Sequence, residues 1–163
     1  MTCDEVLARL ASSRATFDEK LASVPREALT LPVAGSPHSV KDIVFHVSAY
    51  DDLVVLRLMA SRGGVTTEFD RDREGYEVFN ERVWGEAAVI ASDDALARAA
   101  EVFAALLDEV GRLSDGELET PSGATAALDP AWLQGQPPWE LIAIDCYDHY
   151  PMHYDALDAA KGL

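Results

Sequence analysis

Residues 39–64 decide the fold, and they read SVKDIVFHVSAYDDLVVLRLMASRGG. Ser39 is a typical N-cap, and Asp42 places a negative charge in the first turn, where exposed amide groups favour it. Apolar side chains then recur at three- and four-residue steps as far as Gly63-Gly64, which predicts a helix about 30 Å long. The members of this stripe are Ile43, Val47, Tyr50, Val54 and Leu58.

Segments on both sides of this helix show the same helical period. They are a first helix from Thr2 to Pro25, a shorter one from Tyr76 to Ala88, and longer ones from Asp93 to Leu113 and from Trp139 to Ala160. A connector rich in Gly, Pro, Ser and Thr spans residues 114–138, and its length favours a functional or partly structured segment. The sequence therefore predicts an all-α protein, an up-and-down four-helix bundle with an additional short helix and a long connector before the last helix. We expect one domain over residues 1–163.

The composition limits the function classes. The chain has 163 residues, of which 48% are apolar, enough for one domain with its own core. Its formal charge of −16 argues against nucleic acids and anionic membranes as partners. Residues 2–5 do not resemble the basic start of a secretory signal, and no apolar run approaches about 18 residues. The two cysteines, Cys3 and Cys146, are too few for a disulfide scaffold. We expect a cytoplasmic protein with no nucleic-acid or membrane partner.

Three of the four histidines fall on apolar helix faces. His149 and His153 are one turn apart on the last helix, and His46 points to the bundle interior from the second helix. Because bundles build metal sites from facing helices, His46, His149 and His153 are candidate ligands of a divalent metal with one open coordination position. The spacing leaves a second interpretation, in which these histidines are hydrogen-bonded core residues.

Neighbours of the histidines have more than one interpretation. Cys146 shares the stripe of His149, so Cys146, His149 and His46 form an alternative ligand set. Asp42 and Asp145 each precede a histidine by four residues and are candidates to orient the imidazole rings. Further polar candidates, each of which is also explained as a structural residue, are Tyr50, Arg57, Asn80, Arg82 and Trp84. Arg57 either contacts a substrate carboxylate or pairs with an acidic side chain of the protein.

Pro151 lies between the two closing histidines. Proline has no amide N–H, so it removes the helical hydrogen bond to the carbonyl of Tyr147 and is expected to kink the helix. Such a kink moves His153 relative to His149. The convergence of their rings is therefore a prediction for the structure to test.

Three stretches resemble the DinB-like superfamily: SVKDIVFHVSAY at residues 39–50, EVFNE at residues 77–81 and DHYPMH at residues 148–153. This superfamily of helical bundles includes thiol-dependent maleylpyruvate isomerases and bacillithiol or mycothiol S-transferases. The resemblance implies a four-helix bundle, often a homodimer, with a divalent metal held by His46, His149 and His153. His38 stands where family members commonly carry tryptophan, which indicates a packing or capping residue and not a fourth ligand.

The expected chemistry follows from an open position on the metal. A divalent metal with three imidazole ligands ionises a coordinated thiol. Zinc or nickel suits these ligands best, and iron or manganese are the alternatives. We expect an enzyme of the S-transferase or thiol-assisted isomerase type, with a low-molecular-weight thiol and an electrophile as partners. A second hypothesis is a non-catalytic, stress-associated bundle that only binds metal, and a third is an interaction module without metal.

Overall fold

The computed structural model describes residues 1–72 and 75–163, and within these ranges it contains helices and no β-strand. The helices are α1 (Cys3–Ala22), α2 (Val40–Arg62), α3 (Glu68–Asp72), α4 (Tyr76–Val89), α5 (Ser92–Val110), α6 (Asp115–Glu119), α7 (Pro130–Leu133), α8 (Pro138–Ile142) and α9 (Tyr154–Ala160). The predicted fold class, an all-α bundle with a short extra helix and a long connector, is confirmed. No helix in the described ranges is both long and apolar enough to cross a membrane.

α2 is the central helix of the bundle. It packs against α5 and α4, while α1 packs against α5 and against the closing part of the chain. Sixteen of the 23 residues of α2 are buried, which is typical of a helix covered on nearly all sides. The apolar stripe in the sequence identifies only one of these buried faces.

Local sequence fixes both ends of α2. The Ser39 hydroxyl accepts a hydrogen bond from the Asp42 amide, and the Asp42 carboxylate accepts one from the Ser39 amide, so the predicted cap is a complete capping box. Gly63 closes the helix, and Gly64 follows with a φ of 75°, which glycine adopts without steric cost. These boundaries set the position of His46, two turns into the helix.

The closing part of the chain combines several helix types where the sequence predicts one helix. α8 passes into a π-helical segment at Ala143–Tyr147, which is followed by a 3-10 segment at Tyr150–His153 and then by α9. The Asp148 amide donates to the Ala143 carbonyl at 2.8 Å, a bond of the π type. We call residues 138–160 the closing segment. Its change of winding determines where its histidines point.

Pro151 explains part of this change. It offers no N–H to the carbonyl of Tyr147, as the sequence predicts. The hydroxyl of Ser13 on α1 donates to that carbonyl instead, at 2.7 Å. The Tyr147 carbonyl is thus hydrogen-bonded to a side chain of another helix, and the backbone continues in 3-10 geometry.

The connector between α5 and α8 is folded into short helical turns. α6 leads into a 3-10 turn at Gly123–Thr125, and the Thr125 hydroxyl donates to the Glu117 carbonyl at 2.9 Å. α7 then places the Trp132 ring over the guanidinium of Arg57, at 4.4 Å. The connector therefore forms one wall of the cavity described below.

Candidate metal centre

Three histidine side chains meet inside the bundle. His46 comes from α2, whereas His149 and His153 come from the closing segment. One possible ligand nitrogen from each ring lies within 4.8 Å of the other two. The Nε2 atoms of His149 and His153 are 3.1 Å apart. The three histidines singled out in the sequence, which we call the triad, come together despite Pro151.

Burial keeps the imidazoles of the triad uncharged. His46 is 5% exposed and His149 is 8% exposed. Burial, reinforced by the neighbouring imidazoles, lowers the pKa of His46 to about 3. Burial and the nearby His153 lower the pKa of His149 to about 4, and burial also lowers the pKa of His153. At neutral pH the rings therefore offer the unprotonated nitrogens that metal ligation requires.

The donor set fits a divalent metal ion. Nitrogens bound at about 2.05 Å to a tetrahedral ion lie about 3.3 Å apart, close to the 3.1 Å between the Nε2 atoms of His149 and His153. Ordinary core histidines are satisfied by hydrogen bonds. Here the Nδ1 atom of His46 is buried without a hydrogen-bond partner among the described residues, whereas the ring of His149 interacts with the backbone of Asp145. The geometry favours the metal-site interpretation over that of hydrogen-bonded core histidines.

Trp84 packs directly against the triad. Its indole lies between two imidazoles, with ring centroids 4.2 Å from His46 and 3.8 Å from His38, and the rings are within 12° of parallel. His38 is thus a packing residue at the entrance of α2, one of the two roles, packing or capping, that the family resemblance implies. Sequence spacing alone did not show that Trp84 contacts a candidate ligand, because stacking has no short-range sequence signal.

The two carboxylates expected to orient the triad have other partners. The Asp42 Oδ2 accepts hydrogen bonds from the amide and the hydroxyl of Ser39, both at 2.8 Å. The Asp145 Oδ2 accepts from Arg57 at 3.0 Å and from the Trp132 indole N–H at 3.3 Å. The expectation is wrong because a four-residue spacing permits a contact without selecting it. The Asp42 carboxylate is part of the N-cap of α2, and the Asp145 carboxylate is part of a buried ion pair.

Cys146 lies outside the triad. Its side chain is completely buried, and burial, followed by the charge of Asp51, raises the pKa of its thiol. Among the described residues, the possible ligand atoms that converge on one point come from the triad and do not include the Cys146 thiol. The alternative ligand set of Cys146, His149 and His46 is therefore not favoured.

Asp51 is a buried acid that sequence reasoning missed. It is fully buried on α2, its Oδ2 accepts the Tyr150 hydroxyl at 2.6 Å, and burial raises its pKa to about 7. In the sequence it stands beside Asp52, and such a pair of acids is typical of a solvated helix face. The bond joins α2 to the residue that follows His149, so it ties the closing segment to the central helix.

A cavity of about 690 Å³ lies beside the triad and includes His149 in its lining. Its aromatic walls are Tyr50, Phe69, Tyr76 and Trp132, and its charged walls are Arg57, Asp70, Asp129, Glu140 and Asp145. This volume is within the range of small-molecule sites. The arrangement places room for a small substrate next to one of the candidate ligands.

The remaining polar candidates are paired with protein groups. The Tyr50 hydroxyl donates to the Asn80 side chain at 3.0 Å. The guanidinium of Arg82 lies over the Phe79 ring at 5.4 Å, away from the cavity lining. Arg57 forms ion pairs with two carboxylates. This agrees with the interpretation in which Arg57 pairs with acidic side chains of the protein.

Comparisons with known proteins agree with this fold. The family model of the DinB superfamily matches residues 9–140, a range that contains His46 and ends before His149 and His153. None of the curated proteins matches the sequence.

Solved structures share the architecture at low sequence identity. An uncharacterised protein from Escherichia coli UTI89 aligns with a TM-score of 0.81 and 16% identity, over 99% of this chain and 94% of the other. The colibactin self-resistance protein ClbS, crystallised in complex with a dsDNA, aligns with a TM-score of 0.78 and 18% identity, over 96% and 93%. A protein from Streptococcus pneumoniae aligns with a TM-score of 0.79 and 11% identity, over 99% and 91%.

The structure of ClbS corrects one expectation. From the net charge of −16 we expect no nucleic-acid partner, and this expectation is wrong, because a protein of the same fold forms a complex with double-stranded DNA. The physical reason is that net charge is a sum over the whole chain. Contacts with DNA depend instead on the local arrangement of donors and charges on one surface.

Proposed function

This chain belongs to the DinB superfamily, and from that premise we propose that it is a divalent-metal-dependent enzyme that uses a low-molecular-weight thiol. The reaction is an S-transfer to an electrophile or a thiol-assisted isomerisation. His46, His149 and His153 would hold the metal, with zinc or nickel as the first choices. The observation that carries the proposal is the approach of three uncharged imidazoles from two facing parts of the bundle.

A bound metal would supply the ionisation of a thiol at neutral pH. The chain supplies the rest of the site. Buried packing around His46 and His149 limits the access of water to the ligand nitrogens. The cavity beside His149 offers room for the thiol and for the group it attacks. The hydrogen bond between Tyr50 and Asn80 holds the phenol ring against the cavity, where it shapes the space left to the substrate.

The direct test is a thiol-transfer assay with the metal-loaded protein. Zinc- or nickel-loaded chain is mixed with 2-mercaptoethanol and 1-chloro-2,4-dinitrobenzene, and the release of chloride and formation of the thioether are followed. We expect turnover that is lost in His46→Ala and retained in Glu101→Gln, a change on the exposed face of α5. Equal rates in the wild type and His46→Ala, across several thiols and electrophiles, would contradict the proposal. Stoichiometric metal without turnover would favour the non-catalytic metal-binding bundle.

DNA binding is a second candidate function, favoured by the complex of ClbS with a dsDNA. Fluorescence anisotropy of a short labelled duplex, titrated with the full chain at low and at physiological salt, tests it. Saturable binding that weakens as salt increases would support contacts with the phosphate backbone. Constant anisotropy at low salt would remove this candidate.

A further inference from the structure

The cavity beside His149 carries more negative than positive side chains. Among its described lining residues, one guanidinium, that of Arg57, stands against four carboxylates. The carboxylates are those of Asp70, Asp129, Glu140 and Asp145. An organic anion that entered this space would meet repulsion from most of the charged wall.

Arg57 cancels one of the four negative charges and leaves an excess of three, and its guanidinium donors are already engaged. Its Nε and Nη2 donate to Asp70 at 3.0 Å and 2.9 Å, and its Nη1 donates to Asp145 at 3.0 Å. The side chain is 2% exposed, and one face of the guanidinium lies against the Trp132 ring. A substrate carboxylate would have to compete with two buried carboxylates for the same donors. The sequence hypothesis that Arg57 meets a substrate carboxylate is therefore not favoured.

Glu140 is an available carboxylate in the same wall. It stands in the first turn of α8, is half-buried, and has no side-chain partner among the described residues. Asp129, further along the wall, accepts a hydrogen bond from the Ala131 amide at the start of α7. A carboxylate without a cationic partner at the edge of a cavity favours a positively charged ligand.

The aromatic walls favour the same kind of ligand. The rings of Tyr50 and Tyr76 are nearly parallel, at 6° and with centroids 6.0 Å apart, and both line the cavity. The faces of phenol rings attract ammonium groups. The cavity thus combines unpaired negative charge with aromatic surface, two independent features that recognise an organic cation.

We propose that the cavity binds a small molecule with a protonated amine, and that one reactant of the metal site is therefore an ammonium compound. This inference rests on the proposed function for the identity of the reaction, but the binding itself does not require turnover. The ammonium group belongs either to the thiol, which is then an aminothiol, or to the electrophile. Its place is between the Tyr50–Tyr76 pair and Glu140, with its reactive end toward His149.

Three thioethers of matched shape test the binding without any reaction. They are 2-(methylthio)ethylamine, 2-(methylthio)ethanol and 3-(methylthio)propionate, titrated calorimetrically into the full chain with and without added Zn²⁺ at pH 7.5. We expect the ammonium compound to bind about tenfold more tightly than the carboxylate at low salt, with the neutral alcohol between them. This difference should shrink as the salt concentration rises. A carboxylate that binds as tightly as the amine would overturn the proposal.

Variants of Glu140 locate the effect. Glu140→Gln should reduce the preference for the amine several-fold, and Glu140→Lys should reverse it, whereas Glu101→Gln on the exposed face of α5 should leave it unchanged. An unchanged preference in Glu140→Lys would contradict the assignment. Circular dichroism of each variant checks that the fold is retained.

Turnover assays separate this inference from the proposed function and identify the source of the charge. Faster turnover of cysteamine than of 3-mercaptopropionate assigns the ammonium group to the thiol. Cationic and anionic electrophiles, each reacted with 2-mercaptoethanol, test whether the ammonium group belongs to the electrophile instead. If the three thioethers bind with the expected ranking of affinities but no turnover is found, the proposed reaction is contradicted and the cation site is retained. Turnover that favours anionic reactants in both tests would remove the cation site and keep the reaction.

Discussion

The indole of Trp84 and the imidazole of His46 are stacked, with centroids 4.2 Å apart and ring planes 8° from parallel. The Nδ1 of His46 is buried and has no hydrogen-bond partner among the described residues. Stacking, and not a hydrogen bond to a carboxylate, therefore holds the plane of this candidate ligand. His38 covers the opposite face of the indole and completes a three-ring stack.

The first prediction concerns Trp84. Trp84→Leu should weaken zinc binding about tenfold, because residues that support a ligand contribute 10- to 100-fold to metal affinity. Trp84→Phe keeps a flat ring and should retain most of the affinity. Competition with a chromophoric chelator measures the affinity, and thermal unfolding of the metal-free variants controls for loss of the fold.

A spectroscopic readout separates ring positioning from general stability. In a chain whose other tryptophans are replaced (Trp132→Phe and Trp139→Phe), the emission of Trp84 should change when zinc is added, since the stacked His46 changes its electronic state. Zinc affinity unchanged in Trp84→Leu, together with constant emission, would show that the stack is only packing.

The second prediction concerns the pH dependence of folding in the metal-free chain. The pKa values of His46 and His149 are lowered in the fold to about 3 and about 4. Between about pH 4 and pH 6.5 these two imidazoles are therefore protonated mainly in the unfolded chain. These residues stabilise the fold above pH 6.5, and their contribution is lost as the pH falls toward 4. The raised pKa values of Asp51 (about 7) and Asp145 (about 6) act in the opposite direction. Their contribution is present at low pH and is lost as the pH rises through 6–7.

Substitutions separate the opposing contributions. The wild type should show a shallow change in the free energy of unfolding between pH 7 and pH 5. Asp51→Asn should make the loss at pH 5 larger by about 2 kcal/mol, and His46→Gln should reduce or reverse it. Urea unfolding at the two pH values measures the difference within each variant, and the exposed change Asp155→Asn is the control. Parallel pH curves for all four proteins would contradict the assigned burial effects.

The third prediction concerns metal retention. Because the pKa values of His46 and His149 in the fold lie at about 3 and about 4, protons compete poorly with a metal until the solution is distinctly acidic. Half of the zinc should be released only below about pH 5, whereas an exposed oligohistidine peptide releases it near the ordinary histidine pKa of about 6.5. Equilibrium dialysis with elemental measurement compares the two. Release by the folded chain near pH 6.5 would indicate exposed ligands in place of the buried triad.

Much of this arrangement is encoded in short-range patterns. The cap at Ser39, the stop at Gly63 and the period of the apolar residues predict α2 and the inward face of His46. The four-residue spacing of His149 and His153 predicts that both rings share a face. Periodicity is sufficient here because backbone geometry relates each of these residues to its neighbours.

The features that the sequence did not predict depend on contacts between distant residues. Nothing near Asp51 indicates that Tyr150 will cover it, and nothing near Arg57 selects Asp70 and Asp145 as its partners. The cavity is likewise formed by the connector folding back over α2. These relationships arise from packing between elements, so their signal lies in no single stretch of the chain.

The fourth prediction concerns the bond between Ser13 and Tyr147. Pro151 leaves the Tyr147 carbonyl without its helical donor, and the Ser13 hydroxyl supplies one from α1 at 2.7 Å. Ser13→Ala should therefore cost about 1–2 kcal/mol in the free energy of unfolding, the penalty for an unpaired polar group in a partly buried site. Ser12→Ala, on the exposed side of the same helix, should have almost no effect.

The same bond predicts coupling between α1 and the closing segment. In a Pro151→Ala background a backbone N–H is restored within reach of the Tyr147 carbonyl, so the cost of Ser13→Ala should fall well below its value in the wild type. A double-mutant cycle by urea unfolding measures this difference as a coupling energy. Zinc affinity should decrease in Ser13→Ala, since the carbonyl lies one turn before Pro151 and its release loosens the spacing of His149 and His153. Additive effects of the two substitutions, with zinc affinity unchanged, would show that the hydroxyl does not replace the bond removed by the proline.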